Sequence, residues 1–93
     1  MIIIYSEVEC RLYDAFSLKD KRSILKRMMN RIKKDQNVAI TELDFYDLWQ
    51  RTKIGIVTIS NERVHAEQTI QNVLRIIDSF PELERTVTHT ERI

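Results

Sequence analysis

The segment from Ser17 to Gln36 does most to limit how this chain can fold, because one amphipathic helix there carries both a core-forming stripe and most of the positive charge. At about 100° per residue, Leu18, Leu25, Met28, Met29 and Ile32 share one arc, with Ile24 at its edge. Ser17 is a suitable N-cap, and Asp20 three residues later makes a shortened capping box and complements the positive end of the helix dipole. On the opposite surface Lys19, Arg22, Lys26 and Lys33 line up, with Arg27, Arg31 and Lys34 on the adjoining flank. Like charges at these spacings repel by a few tenths of a kcal/mol per pair, so either a partner or solvent and salt must offset them.

The net charge of +1 conceals this polarity. Residues 17–36 hold eight basic and two acidic side chains, whereas the rest of the chain holds seven basic and twelve acidic ones. A basic face on a near-neutral protein points to an anionic partner: RNA, an acidic protein surface, or an acidic surface of a second copy.

The other segments define the partners of that helix. Ile2–Tyr13 alternates as a strand, with Ile4, Val8, Cys10 and Leu12 on the apolar side. Val38–Phe45 is a second strand in which Thr41 and Glu42 interrupt the alternation and predict a bulge. Tyr46–Gln50 links it to Arg51–Ser60, whose nearly continuous run Ile54–Ile59 predicts a central strand covered on both sides or for most of its length. Ser60 or Asn61 is expected to cap a second helix reaching Asp78, with Ala66, Ile70, Val73, Leu74 and Ile77 inward. Pro81 stops helix, and Leu83–Ile93 forms a half-exposed edge strand.

The order βαββαβ, with right-handed crossovers, predicts an α+β ferredoxin-like sandwich: a four-stranded antiparallel sheet with both helices on one face. At 93 residues this is a single domain, 1–93. Its other sheet face would display Ile3, Tyr5, Glu7, Glu9 and Arg11. There is no apolar run of about 18 residues and no signal-peptide pattern at Met1–Tyr5. A lone cysteine, Cys10, suits a reducing compartment, so a cytoplasmic protein with no membrane partner is expected.

Several motifs together resemble the YlxP-like family of small, largely uncharacterised bacterial proteins. They are Ser17-Leu18-Lys19-Asp20-Lys21-Arg22, Asn37-Val38, Asp47-Leu48-Trp49-Gln50-Arg51, Gly55, and Ser60-Asn61 followed by His65-Ala66. The resemblance spans nearly the whole chain. It departs where Asp20 stands in place of the more usual Glu and where Phe45 and Tyr46 make the turn before Asp47 more aromatic. It implies a ferredoxin-like fold and a context in translation or ribosome maturation, and it supplies no established activity and no catalytic residues.

Enzymatic chemistry finds little support. His65, His89 and Cys10 lack metal-ligand spacing, and Gly55, the only glycine, cannot build a phosphate loop. Acylphosphatases share the fold, yet their phosphate-cradling loop needs glycine and arginine where this chain has Asp14, Ala15 and Phe16. No cofactor, metal or catalytic residue is expected. The third strand lacks the aromatics of RNA-recognition domains, which directs RNA contact to helix and loops.

The leading expectation is thus a non-enzymatic protein binding RNA or a ribosomal surface through Lys19, Arg22, Lys26, Arg27, Arg31, Lys33 and Lys34, with Arg51 and Arg63 as additions if they lie nearby. The alternative is a regulatory module that self-associates through the open sheet face or the last strand, with Tyr5, Trp49 and Arg51 as interface candidates. Small-molecule sensing at a dimer interface has no residue signature. Trp49 is expected to plug the end of the core; an exposed Trp49 would instead mark an interface. Lys21, inside the apolar arc, is expected to reach a carboxylate on a neighbouring strand, the other reading being an anion site at the helix start.

Overall fold

In the computed structural model, which describes residues 1–93, β1 (Ile2–Leu12) leads into α1 (Leu18–Asp35), followed by β2 (Ala39–Asp44), β3 (Arg51–Ser60), α2 (Arg63–Asp78) and β4 (Leu83–Arg92). The strands form one antiparallel sheet in the order β2-β3-β1-β4, and both helices cover the same face. This is the expected ferredoxin-like arrangement. No helix is long and apolar enough to cross a membrane.

Alternation in β1 sends Ile4, Ser6, Val8, Cys10 and Leu12 under the helices. They meet Ile24, Leu25, Met28 and Ile32 of α1 and Ala66, Ile70, Val73 and Ile77 of α2 in a single core cluster. The buried Ser6 hydroxyl pairs with Thr90 Oγ1 at 2.9 Å, and Thr69 donates to the His65 carbonyl at 3.0 Å, so neither leaves an orphaned polar group.

α1 starts as its sequence predicts. The Asp20 amide donates to Ser17 Oγ at 3.0 Å, while Asp20 Oδ2 accepts from the Phe16 amide at 3.1 Å. α2 differs: its N-cap is Glu62, without a side-chain cap bond. Ser60 Oγ instead accepts from the Glu62 amide at 3.1 Å, closing the turn before the helix.

β3 is central in the sheet, but only one of its faces is covered. Thr52, Ile54, Ile56 and Thr58 are buried, whereas Lys53, Gly55 and Val57 are half-buried and Ile59 is 53% exposed. Part of the reason its outer face stays apolar lies in β2, where the bulge falls at Leu43, one residue beyond Glu42. The Leu43 side chain folds over Gly55, so closely that a Cβ added there would lie 2.8 Å from Leu43 Cδ1. A second bulge, unanticipated, interrupts the β1–β4 ladder between Glu9 and Cys10.

Candidate nucleic-acid interface

The outer surface of α1 carries Lys19, Arg22, Lys26, Lys33 and Lys34, all exposed and none in an ion pair. At 1.5 Å per residue they span about 22 Å of helix axis. Lys33 and Lys34 also lie in the last turn, where cations complement the dipole. The remaining two predicted contacts are tied down from the side. Arg27 Nη2 lies 2.6 Å from Glu82 Oε2, with its guanidinium 5.9 Å from the Phe80 ring centroid. Arg31 Nη1 donates to Ser79 Oγ at 3.3 Å. These two arginines brace α1 against the loop between α2 and β4, and the bond from Arg27 holds the Glu82 carboxyl below its ordinary pKa.

Lys21 reaches the carboxylate expected of it. Its ammonium is 2.9 Å from Glu42 Oε2 and 2.6 Å from the Phe45 carbonyl oxygen, and Thr52 Oγ1 donates to the same Glu42 oxygen at 2.6 Å. That satisfied cluster leaves no vacant anion site at the start of α1. It also fixes the turn that follows β2, where Phe45 adopts a left-handed conformation (φ 63°) unusual for a bulky residue.

Trp49 does not plug the core. It is 51% exposed, which makes it the interface candidate of the alternative reading. Arg51, beside it, lies 3.9 Å over the Phe45 ring and 3.4 Å from Glu9. Across the ladder Arg51 pairs directly with Arg11, which takes part in no ion pair and sits 5.3 Å over the Tyr13 ring. Strand alternation places Arg11 on the outer face, but its meeting with Arg51 depends on the β1–β3 register, which no local pattern encodes. Arg63 pairs with Glu67 on its own helix at 3.5 Å.

Farther along the outer face, Tyr5 donates to Glu91 Oε2 at 2.7 Å. This bond raises the Tyr5 pKa and lowers that of Glu91, which also pairs with His89 at 3.0 Å. A groove of about 310 Å³ runs beside Tyr5, bordered by Ala39, Leu43, Gly55 and Val57. His65, His89 and Cys10 are not brought together: Cys10 is buried, and burial pushes its thiol up to about 12.

The fold is also that of a solved de novo designed protein with a ferredoxin fold, LFR1 1 (TM-score 0.55, 18% identity, covering 100% of this chain and 84% of that one). In sequence the chain is 51% identical over 90 residues to the uncharacterized protein YlxP of Bacillus subtilis (strain 168), covering 97% of this chain and 98% of that protein. The YlxP-like resemblance of the sequence motifs therefore holds over nearly the full length. A family model described as protein of unknown function (DUF503) matches residues 3–90, and the chain belongs to that family.

Proposed function

We propose that this is a non-enzymatic, cytoplasmic protein that binds structured RNA or a ribosomal surface through the outer row of α1. The observation that carries the reading is the set of five exposed cations, Lys19, Arg22, Lys26, Lys33 and Lys34, none of which has a carboxylate partner. Such a row neutralises phosphates and releases counterions while reading backbone and shape rather than base sequence. Arg27 and Arg31 act as braces, which narrows the set of contacts. The translational context implied by the family resemblance supports an RNA partner over an acidic protein.

The test is co-sedimentation with ribosomal subunits and filter binding to ribosomal RNA, using the wild type and a Lys26→Glu, Lys33→Glu variant whose fold is checked by circular dichroism. Four to five phosphate contacts predict about a hundredfold loss of affinity between roughly 50 and 200 mM salt. Binding that ignores salt, or that survives in the folded variant, removes this reading.

A second reading, self-association, is favoured by one observation. The outer edge of β4 pairs with no strand, and Val87–Arg92 are exposed on both faces. Light scattering across a concentration series distinguishes a dimer built on this edge or on the open face from a monomer.

A further inference from the structure

Where the end of β1 meets the loop between β2 and β3, a groove of about 670 Å³ is lined by Arg11, Asp47, Leu48, Trp49, Arg51 and Thr86. Two of its features bear on what it could hold. Trp49 and Leu48 are 51% and 47% exposed in the same short loop, a pair of apolar side chains that folding leaves wet. Beside them Arg11 and Arg51 stand directly opposite each other in the β1–β3 ladder, a destabilising pairing; Glu84 stands opposite Arg11 in the β1–β4 ladder but forms no ion pair with it.

The two guanidiniums are not loose. Arg11 rests over Tyr13 and Arg51 over Phe45, at 5.3 and 3.9 Å from the ring centroids, so packing restrains both. Glu9 meets only Arg51, and at 3.4 Å. Asp47 is the one carboxylate among the lining residues, against two arginines. A restrained pair of guanidinium forks suits a phosphate, and an exposed indole beside them suits the flat face of a base. A plain carboxylate ligand would use the arginines and leave Trp49 idle.

We propose that this groove holds an unpaired nucleotide of an RNA strand, its base stacked on Trp49 and its phosphate on Arg11 and Arg51. The inference deepens the RNA reading and rests on it for the kind of ligand. The basic row of α1 lies on the helix-covered side of the sheet, and Arg11 and Arg51 lie on its other side, so the groove is a contact separate from that row.

Trp49 is the only tryptophan, so its emission reports on this groove alone. The experiment titrates the intact protein with a hexa-adenylate oligoribonucleotide and with an abasic hexamer of the same backbone. The expected result is saturable quenching by the first and none by the second. Arg11→Glu weakens that binding by about tenfold and Arg11→Gln by about threefold, whereas Lys26→Glu, Lys33→Glu changes it by less than about threefold. No quenching at millimolar oligonucleotide, equal quenching by the abasic hexamer, or indifference to both Arg11 substitutions overturns the proposal. The two readings fail separately. Ribosomal RNA binding lost in the helix variant, without hexamer quenching, retains the helix and removes the groove; quenching sensitive to Arg11, without ribosomal RNA binding, does the reverse.

Discussion

The Lys21 ammonium lies 2.9 Å from the Glu42 carboxylate, with 2% of the lysine side chain exposed against 19% of the glutamate. The inequality makes the pair asymmetric. Glu42→Leu strands a buried cation and costs about 3 kcal/mol in urea denaturation. Lys21→Met leaves a carboxylate with some access to water and a hydrogen bond from Thr52, and costs about 2 kcal/mol. The double variant loses less than the sum, because neither charge is then stranded. Additive losses would show that the two groups act independently.

Gly55 and Leu43 are coupled by shape. With no positive φ at Gly55, alanine fits the backbone there, and the obstacle is the Leu43 side chain. Gly55→Ala therefore destabilises by about 1 kcal/mol, and Leu43→Ala in the same chain removes most of that penalty. A thermodynamic cycle with no interaction energy between the two positions contradicts this account.

The Arg27–Glu82 pair gives a pH signature. Since the folded-state pKa of Glu82 is depressed, the pair's contribution is present above the ordinary carboxylate range and disappears as pH falls through the depressed value. Arg27 is 54% exposed, so the contribution at neutral pH is about 0.5 kcal/mol. The stability difference between wild type and Arg27→Gln should stay constant above the ordinary carboxylate range and shrink as pH falls below it. Chemical denaturation at several pH values measures it.

Cys10 gives the opposite sign. Its folded-state pKa is raised to about 12, so the neutral thiol is favoured by the fold and that stability is lost as pH climbs from the ordinary thiol range towards 12. At about pH 8 its reaction with a disulfide reagent requires opening of the sheet and runs at least about a thousandfold slower than in urea-unfolded protein. Rapid labelling of native protein would mean that β1 opens on its own.

The fold was legible because its signals are periodic. The alternation of β1, the 3.6-residue stripe of α1 and the break at Pro81 each depend on a few neighbours in sequence. Lys21 was legible for a related reason, since a long polar side chain inside an apolar arc must find a partner. Trp49 was not. Loop composition does not say whether an aromatic side chain turns in to the core or out to solvent, and here the indole stays outside. The apolar run of β3 misled where it suggested cover on both sides: one face lies under the helices, and on the other Leu43 reaches over Gly55 from a bulge while Ile59 stays exposed. The opposition of Arg11 and Arg51 lies forty residues apart in sequence and exists only once the register is set.

The position of β1 has a consequence for how the molecule comes into being. β1 pairs only with β3 and β4, so the strand made first lies between two made much later, the last bond joining Ile93 to the Ile3 carbonyl. On the ribosome its apolar side chains wait for more than half the chain to emerge, through stages when α1 and β2 have no sheet to dock on. Closing those long loops is slow, and until it happens Ile2–Leu12 is a bare strand open to any other strand. Charged side chains on a bare strand, here Glu7, Glu9 and Arg11, disfavour pairing with a second strand.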